Sequence, residues 1–272
     1  MALSESVQNS SVLGKPTLCV ITGASRGLGR SLSVELSGRL GEGSRLVLTA
    51  RSLSGLEQTQ ALVVNKTTSV SVKLVCGDLE DSDKYQDFFR ELFSDVTPGV
   101  FQHALLIHNA STLGDVSKRV VEHCDAEVLQ KYYTVNVTSV ITLTARFLQV
   151  FPSSDMTRTV VNITSSAGFT PIKTNSLYCS GKAARDIVFK VLAEESPEVR
   201  VLSFSPGAMD TEMFDYYRTH VGDPEVRALL CQQAEDGKLL KPDFSAQKLV
   251  QILVENSYKS GAILDVLDRF EH

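Results

Sequence analysis

"TLCVITGASRGLGR", residues 17–30, decides how the rest of the chain is read. TLCVIT runs through six residues without a charged break and suits a strand buried on both faces. Gly23, Gly27 and Gly29 follow in the spacing G-x-x-x-G-x-G, and "GLGRSLSVELSGRL" then carries apolar residues at helical intervals. Glycine permits a tight turn and close backbone approach to a ligand, and the first turn of a helix offers free N–H groups to phosphate. Alone, such a cluster is only a turn. With a strand before it and a helix after it, Gly23, Ser25, Arg26, Gly27, Leu28 and Gly29 read as a dinucleotide-binding loop. No Gly-Lys-Ser/Thr closes the stretch, so it is not a Walker A loop.

A site for NAD commonly has an acid about 20 residues past the glycines, where it holds the ribose hydroxyls. Here "LTARS" puts Arg51 in that place, and Arg26 lies in the loop itself. Two guanidinium groups suit a 2′-phosphate. NADPH is therefore the expected cofactor, the competing reading being two solvated surface charges.

Apolar runs of strand length alternate with amphipathic segments along most of the chain. The expected strands are 17–22, 45–50, 71–78, 103–110, 159–164, 200–206 and 262–267; the expected helices lie near 27–40, 53–66, 81–95, 125–150, 176–195 and 244–257. Repeated strand–helix–strand units imply right-handed crossovers. The expected fold is α/β: a single-domain, Rossmann-type, doubly wound parallel sheet with helices on both faces. No linker divides it. Residues 1–15 are Ser-rich and read as a flexible tail before a domain of 16–272.

Composition narrows the function classes. The 272 residues are 43% hydrophobic, enough for a sizeable core, and the net charge of −5 without a long basic run argues against nucleic acid. No stretch approaches a membrane span. Five scattered cysteines, with no CxxC spacing, exclude an obvious zinc site and suit a reduced, cytoplasmic setting.

"SLYCSGKAARD", 176–186, places Tyr178 and Lys182 four residues apart, on one helical face. Both side chains pack a stem and wet a tip, which is a structural reason to pair them. A cation beside a phenol also lowers the cost of releasing its proton. The pair alone leaves both readings open.

Taken together, "TGASRGLG", "GDL" (77–79), "HNAS" (108–111), Asn136 in "YTVNVTS", Ser165 in "NITSS", "YCSGK" and "SPGAMDT" (205–211) resemble the short-chain dehydrogenase/reductase family, in that family's order and over nearly the whole chain. The resemblance implies a catalytic set of Ser165, Tyr178, Lys182 and Asn136. Tyr178 would be the general acid, Lys182 its assistant and the holder of the nicotinamide ribose, and Ser165 the partner of the substrate carbonyl, with Ser166 its rival. Asn136 would hold a water beside the lysine. Asp78 and Leu79 would flank the adenine, and Asn109 and Ala110 would line the cofactor. Pro206, Gly207, Met209 and Thr211 would close over the nicotinamide. Ser111 stands where the family commonly has glycine and is expected to crowd the cofactor slightly. His108 reads as a strand-end residue.

The resemblance leaves the ketone open. "STLGDVSKR", "RTVVNITSS", "YCSGKAARD", "SAQKL" and "KSGAILDVLDRF" are similar to members of the family that reduce ketones on pterin side chains. In these a C-terminal aspartate anchors the pterin. Asp265 matches it and Asp268 is the rival. Substrate-binding residues on this reading are Ser165, Ser166, Tyr178, Gly207 and Asp265, beneath a covering segment near 211–243. A general reductase of dicarbonyls, and a non-catalytic nucleotide-binding sensor, remain the alternatives. The family also implies a homodimer, paired through helices 125–150 and 176–195; their surplus of apolar positions fits this, or deep burial within one subunit.

Overall fold

The computed structural model describes residues 13–94, 96, 99–152 and 156–268. Most of the expected tail, 1–12, lies outside them. Among the described residues seven strands form one sheet: β1 (Thr17–Thr22), β2 (Ser44–Ala50), β3 (Val70–Cys76), β4 (His103–His108), β5 (Thr157–Ile163), β6 (Val199–Ser205) and β7 (Ala262–Asp265). Their order is β3-β2-β1-β4-β5-β6-β7 and every neighbouring pair is parallel. The chain winds outward to β3, returns to the centre, and winds outward again from β4. The switch point between β1 and β4 therefore opens a crevice at the carboxyl ends of the strands.

The helices are α1 (Gly27–Ser37), α2 (Leu53–Lys66), α3 (Tyr85–Leu92), α4 (Ala126–Tyr133), α5 (Ser139–Val150), α6 (Ser176–Glu195), α7 (Glu212–His220), α8 (Pro224–Glu235) and α9 (Pro242–Glu255). Strand alternation divides the core between them. Cys19 and Ile21 of β1 pack with Leu32, Leu36, Leu56, Val63, Leu249 and Leu253 from α1, α2 and α9. Leu18 and Val20 face the other way, onto Phe89, Phe147 and Phe189 from α3, α5 and α6. Truncating a fully buried ring such as Phe147 to alanine would cost about 3–5 kcal/mol. A smaller cluster, Leu113, Val116, Phe214, Val221 and Leu230, seats α7 and α8 over the carboxyl edge, with Tyr178 and Tyr217 packed against it.

Three boundaries differ from the sequence reading in ways that bear on the site. The strand expected at 103–110 ends at His108, because the next two amides turn to bond the Thr22 hydroxyl at 3.1 and 3.0 Å. The helix expected at 125–150 contains a π-helical turn, Thr134–Thr138, between α4 and α5. Asn136 sits buried in that turn. The segment 211–243 holds two helices, α7 capped by Thr211 and α8 started by Asp223 and Pro224. Elsewhere the differences are small: 81–95 narrows to α3 after a short 3-10 turn, and the last strand stops at Asp265. Among the described residues no helix is long and apolar enough to cross a membrane.

Candidate active site

The glycine loop is held from three sides. Gly23 and Gly27 have φ of +68° and +52°, the left-handed region that favours glycine. A Cβ on Gly29 would lie 2.2 Å from the Gly23 carbonyl oxygen, so only glycine lets α1 start this close to the turn. Asn109 donates its side-chain amide to the carbonyls of Thr22 and Gly23 at 2.9 and 3.1 Å. Arg30 donates to the Ser25 carbonyl at 2.5 Å. Asn109, expected to line the cofactor, thus also braces the loop that would hold it.

The loop's donors fit a pyrophosphate. The first turn of α1 has no capping side chain and no acid, so its N–H groups lack a side-chain acceptor. A Cβ on Gly27 would meet only the Thr211 methyl, at 3.7 Å. That leaves open space beside the loop and brings the 206–211 segment next to it. Leu28 is buried beneath. Arg51 is exposed at the end of β2, and only its main chain is engaged, its carbonyl accepting from the Cys76 thiol at 3.2 Å. Arg26 is exposed and forms an ion pair with Glu212 at the start of α7. Beyond β3, Asp78 is exposed and accepts from the Glu80 amide at 3.0 Å, while the Leu79 carbonyl accepts from the Tyr85 hydroxyl at 2.5 Å.

Ser165, Tyr178 and Lys182 meet beyond the carboxyl end of β5. Ser165 accepts from the Ala167 amide at 3.3 Å and lies near enough to the Tyr178 hydroxyl to lower its pKa. The rival Ser166 is exposed, at the start of a short 3-10 turn. Tyr178 is half-buried; desolvation pushes it up to about 12, against the Ser165 hydroxyl and the Arg185 charge, which lower it. Lys182 lies 3% exposed, its Nζ 5.4 Å from the Tyr178 ring centre, and donates to the Ile163 carbonyl at 2.8 Å. Burial, then the Arg185 charge, hold it well below the usual lysine value, and Asp186 opposes them.

Asn136 is buried, and its carbonyl oxygen accepts from the Ser111 hydroxyl and the Thr112 amide, both at 2.9 Å. Its Nδ2 donates to the Tyr132 carbonyl at 2.9 Å. The amide therefore ties the loop after β4 to the π turn, and Ser111 turns its hydroxyl toward that amide. His108 is buried and bonds Thr144 at 2.8 Å; burial keeps it well below the usual histidine value, hence neutral. It is a strand-end residue, as expected.

At the far side, Pro206 is buried and its carbonyl accepts from Ser245 at 2.8 Å. Gly207 has φ of +76°, and a Cβ there would press on Leu240 and Val266. Met209 bridges to Leu240, and Thr211 caps α7. Asp265 pairs in register with Ser205, and its Oδ2 accepts from that hydroxyl at 2.7 Å; Oδ1 accepts from the Leu267 amide. The rival Asp268 is exposed and accepts from the Asp265 amide at 2.7 Å. Asp265, half-buried at a strand end, is the better placed of the two.

Several contributors escaped the sequence reading. Thr22 joins β1 to the segment after β4, and Arg30 holds the loop carbonyl. Arg185 and Asp186 lie buried one turn past Lys182. Their spacing from Tyr178 and Lys182 was the available signal, since i, i+4, i+7 is one helical face.

A family model described as short chain dehydrogenase matches residues 17–222. The chain belongs to the short-chain dehydrogenase family and is an oxidoreductase, of a family that works with nicotinamide cofactors. Among its relatives, the sepiapterin reductase of Xenopus tropicalis is 42% identical over 252 residues, 92% of this chain and 96% of its own. The benzil reductase ((S)-benzoin forming) of Bacillus subtilis (strain 168) is 32% identical over 254 residues, 92% of this chain and 98% of its own. The crystal structure of the KRED1-Pglu enzyme shares the fold with a TM-score of 0.78 at 24% identity, over 92% of this chain and 100% of that one.

Proposed function

We propose that the chain reduces ketones on pterin side chains with NADPH, acting on sepiapterin and 6-pyruvoyl-tetrahydropterin in the last step of tetrahydrobiopterin formation. The observation that carries this reading is Asp265. Its carboxylate is braced by Ser205 and Leu267 at the carboxyl edge of the sheet, and it keeps lone pairs free. A carboxylate so placed accepts two parallel N–H bonds from an amino-pyrimidine edge. The likeness to sepiapterin reductase over 92% of the chain supports the same substrate class.

Bound NADPH supplies the hydride. Arg51 and Arg26 recognise its 2′-phosphate, with Arg26 shared between that phosphate and Glu212. Tyr178, raised to about 12 by burial, stays protonated across neutral pH and gives its proton to the carbonyl oxygen. Ser165, beside the same hydroxyl, donates its own to that oxygen and positions it. Lys182 releases a proton easily and resupplies Tyr178, and its remaining donors hold the nicotinamide ribose. Asn136 fixes the loop facing them. Segment 211–243 covers the substrate through Phe214 and Tyr217.

The same reading includes a cytoplasmic homodimer. Ile187 and Val191, four apart on α6, are 59% and 45% exposed, and Ile141 on α5 is 43% exposed. A second copy would cover such a face. A monomer at micromolar concentration in sedimentation would overturn this part.

The test is loss of NADPH absorbance with sepiapterin, for the parent, Tyr178→Phe and Asp265→Ala. Parent turnover, no turnover in Tyr178→Phe, and loss of the pterin with simple diketones retained in Asp265→Ala is the expected result. The likeness to benzil reductase favours a second reading, a dicarbonyl reductase. Indifference to sepiapterin with diketones reduced would replace the first reading by the second.

A further inference from the structure

Arg185 lies just under one turn beyond Lys182 on α6 and is 1% exposed. A guanidinium is costly to remove from water unless its donors are matched. Here every nitrogen is used. Nε donates to the Asn162 side-chain oxygen at 2.7 Å, one terminal nitrogen to the His108 carbonyl at 2.6 Å, and the other to the Ala110 carbonyl at 3.2 Å. Two of these acceptors are main-chain carbonyls on either side of Asn109. Asn109 in turn holds the carbonyls of Thr22 and Gly23. One run of hydrogen bonds therefore joins the helix of Tyr178 and Lys182 to the glycine loop.

The acceptors are neutral, so they do not cancel the guanidinium charge. The neighbouring carboxylate, Asp186, places its oxygens on Asn162 and Thr164 at 3.0 and 2.8 Å rather than on Arg185. We propose, on the footing of the function above, that Arg185 is a positioning residue with two separable roles. It pins the 108–110 wall of the cofactor crevice to α6, and it keeps a positive charge one turn beyond Lys182, on the helix of Tyr178.

The groups acting on Tyr178 are Ser165, Arg185, Tyr217 and Cys179, with Lys182 over its ring and Tyr132 nearby. Lys182 faces Arg185 and Asp186. Arg185 itself faces Tyr178, Asp186 and Tyr132, and the adjoining His108 is neutral. Its charge lowers both Tyr178 and Lys182. Reduction needs the proton on Tyr178 and its resupply, so removing the charge moves the alkaline limb of kcat to higher pH.

Two readouts on two variants separate the roles. Arg185→Met removes both at every pH, whereas Arg185→Lys cannot reach three acceptors from one point and, buried like Lys182, gives up its proton as pH rises. The readouts are the NADPH dissociation constant, by fluorescence titration without ketone, and the pH profile of kcat. For Arg185→Met we expect about 10-fold weaker NADPH binding and an alkaline limb about one pH unit higher. For Arg185→Lys we expect the same loss of NADPH affinity and a limb raised as in the methionine variant, because a buried lysine is neutral there. Parental NADPH affinity in the lysine variant overturns the pin. An unmoved limb in either folded variant overturns the charge role. Should the methionine variant fail to fold, the lysine variant tests both roles alone. The binding titration uses no pterin, so a parent that ignores pterins sinks the proposed function while the titration still reads the pin.

Discussion

Arg26 and Arg51 stand in solvent beside the carboxyl ends of β1 and β2, whereas Lys182 and Arg185 are shut away beside those of β4 and β5. Exposed guanidinium groups cost little to keep, are screened by salt, and each adds modestly to the capture of a phosphate. Buried cations are expensive, and each is held in a definite set of bonds. The first pair suits recognition of a charge that arrives with a ligand. The second suits control of protons already inside. The same residue type thus does different chemistry according to the water around it.

The largest expected effect tests the buried end. Tyr178→Phe should lower kcat by about 10²–10⁴-fold with NADPH binding little changed, because it removes only the transferable proton. A variant that keeps more than a tenth of parental turnover would break the assignment. Lys182→Met should also remove most activity, about 10²-fold. Yet it should raise the melting temperature, by about 2–4 °C for each kcal/mol of relief. The sign follows from linkage: the folded state holds Lys182 below its usual value of 10.5, so folding disfavours the ammonium at neutral pH. Parental stability climbs as pH rises toward that value, and the two melting curves should converge there. A methionine variant less stable than the parent at pH 7 would mean that the bond to the Ile163 carbonyl outweighs the burial cost.

Smaller effects belong to the rim and the exposed end. Asp265→Asn should raise KM for sepiapterin by about 10–100-fold, the worth of charge-assisted bonds, and leave diketones unaffected. Arg51→Ala should weaken NADPH by about 2–5-fold without touching NADH, in keeping with a screened surface contact. Added salt should erase that difference. If salt leaves it intact, Arg51 is not acting as a solvated charge.

Legibility in the sequence follows the same division. The glycine loop, Arg51 and the Tyr178–Lys182 pair could be read because each is local: a strand, a turn and a helix in direct succession. All seven strands fall within two residues of their expected bounds for the same reason, β4 overrunning by two because Asn109 and Ala110 bond sideways to Thr22. Thr22, Arg30 and Arg185 act on segments far away in sequence, and nothing local announces those partners. "ARDIVFK" reads as an apolar helical stretch with three charges, of which the fold buries Arg185 and Asp186 and leaves Lys190 exposed. Asn136 was found through the family pattern, but the turn around it was not, since helical periodicity averages over a single added residue.

That turn has a consequence for how the chain tolerates change in length. A π turn holds one residue more than the α turn it replaces. Deleting one residue between 134 and 138 would close it to an ordinary α turn with the helix beyond still in phase, whereas the same deletion early in α5 would rotate everything after it by about 100°. In the first case Leu143 and Phe147 keep facing the sheet; in the second they swing off it. Five residues at the rim of the crevice therefore absorb a change of length that the helix lining the core cannot. A deletion among them is a local event, whereas a turn or two further on it is a frame error written in three dimensions.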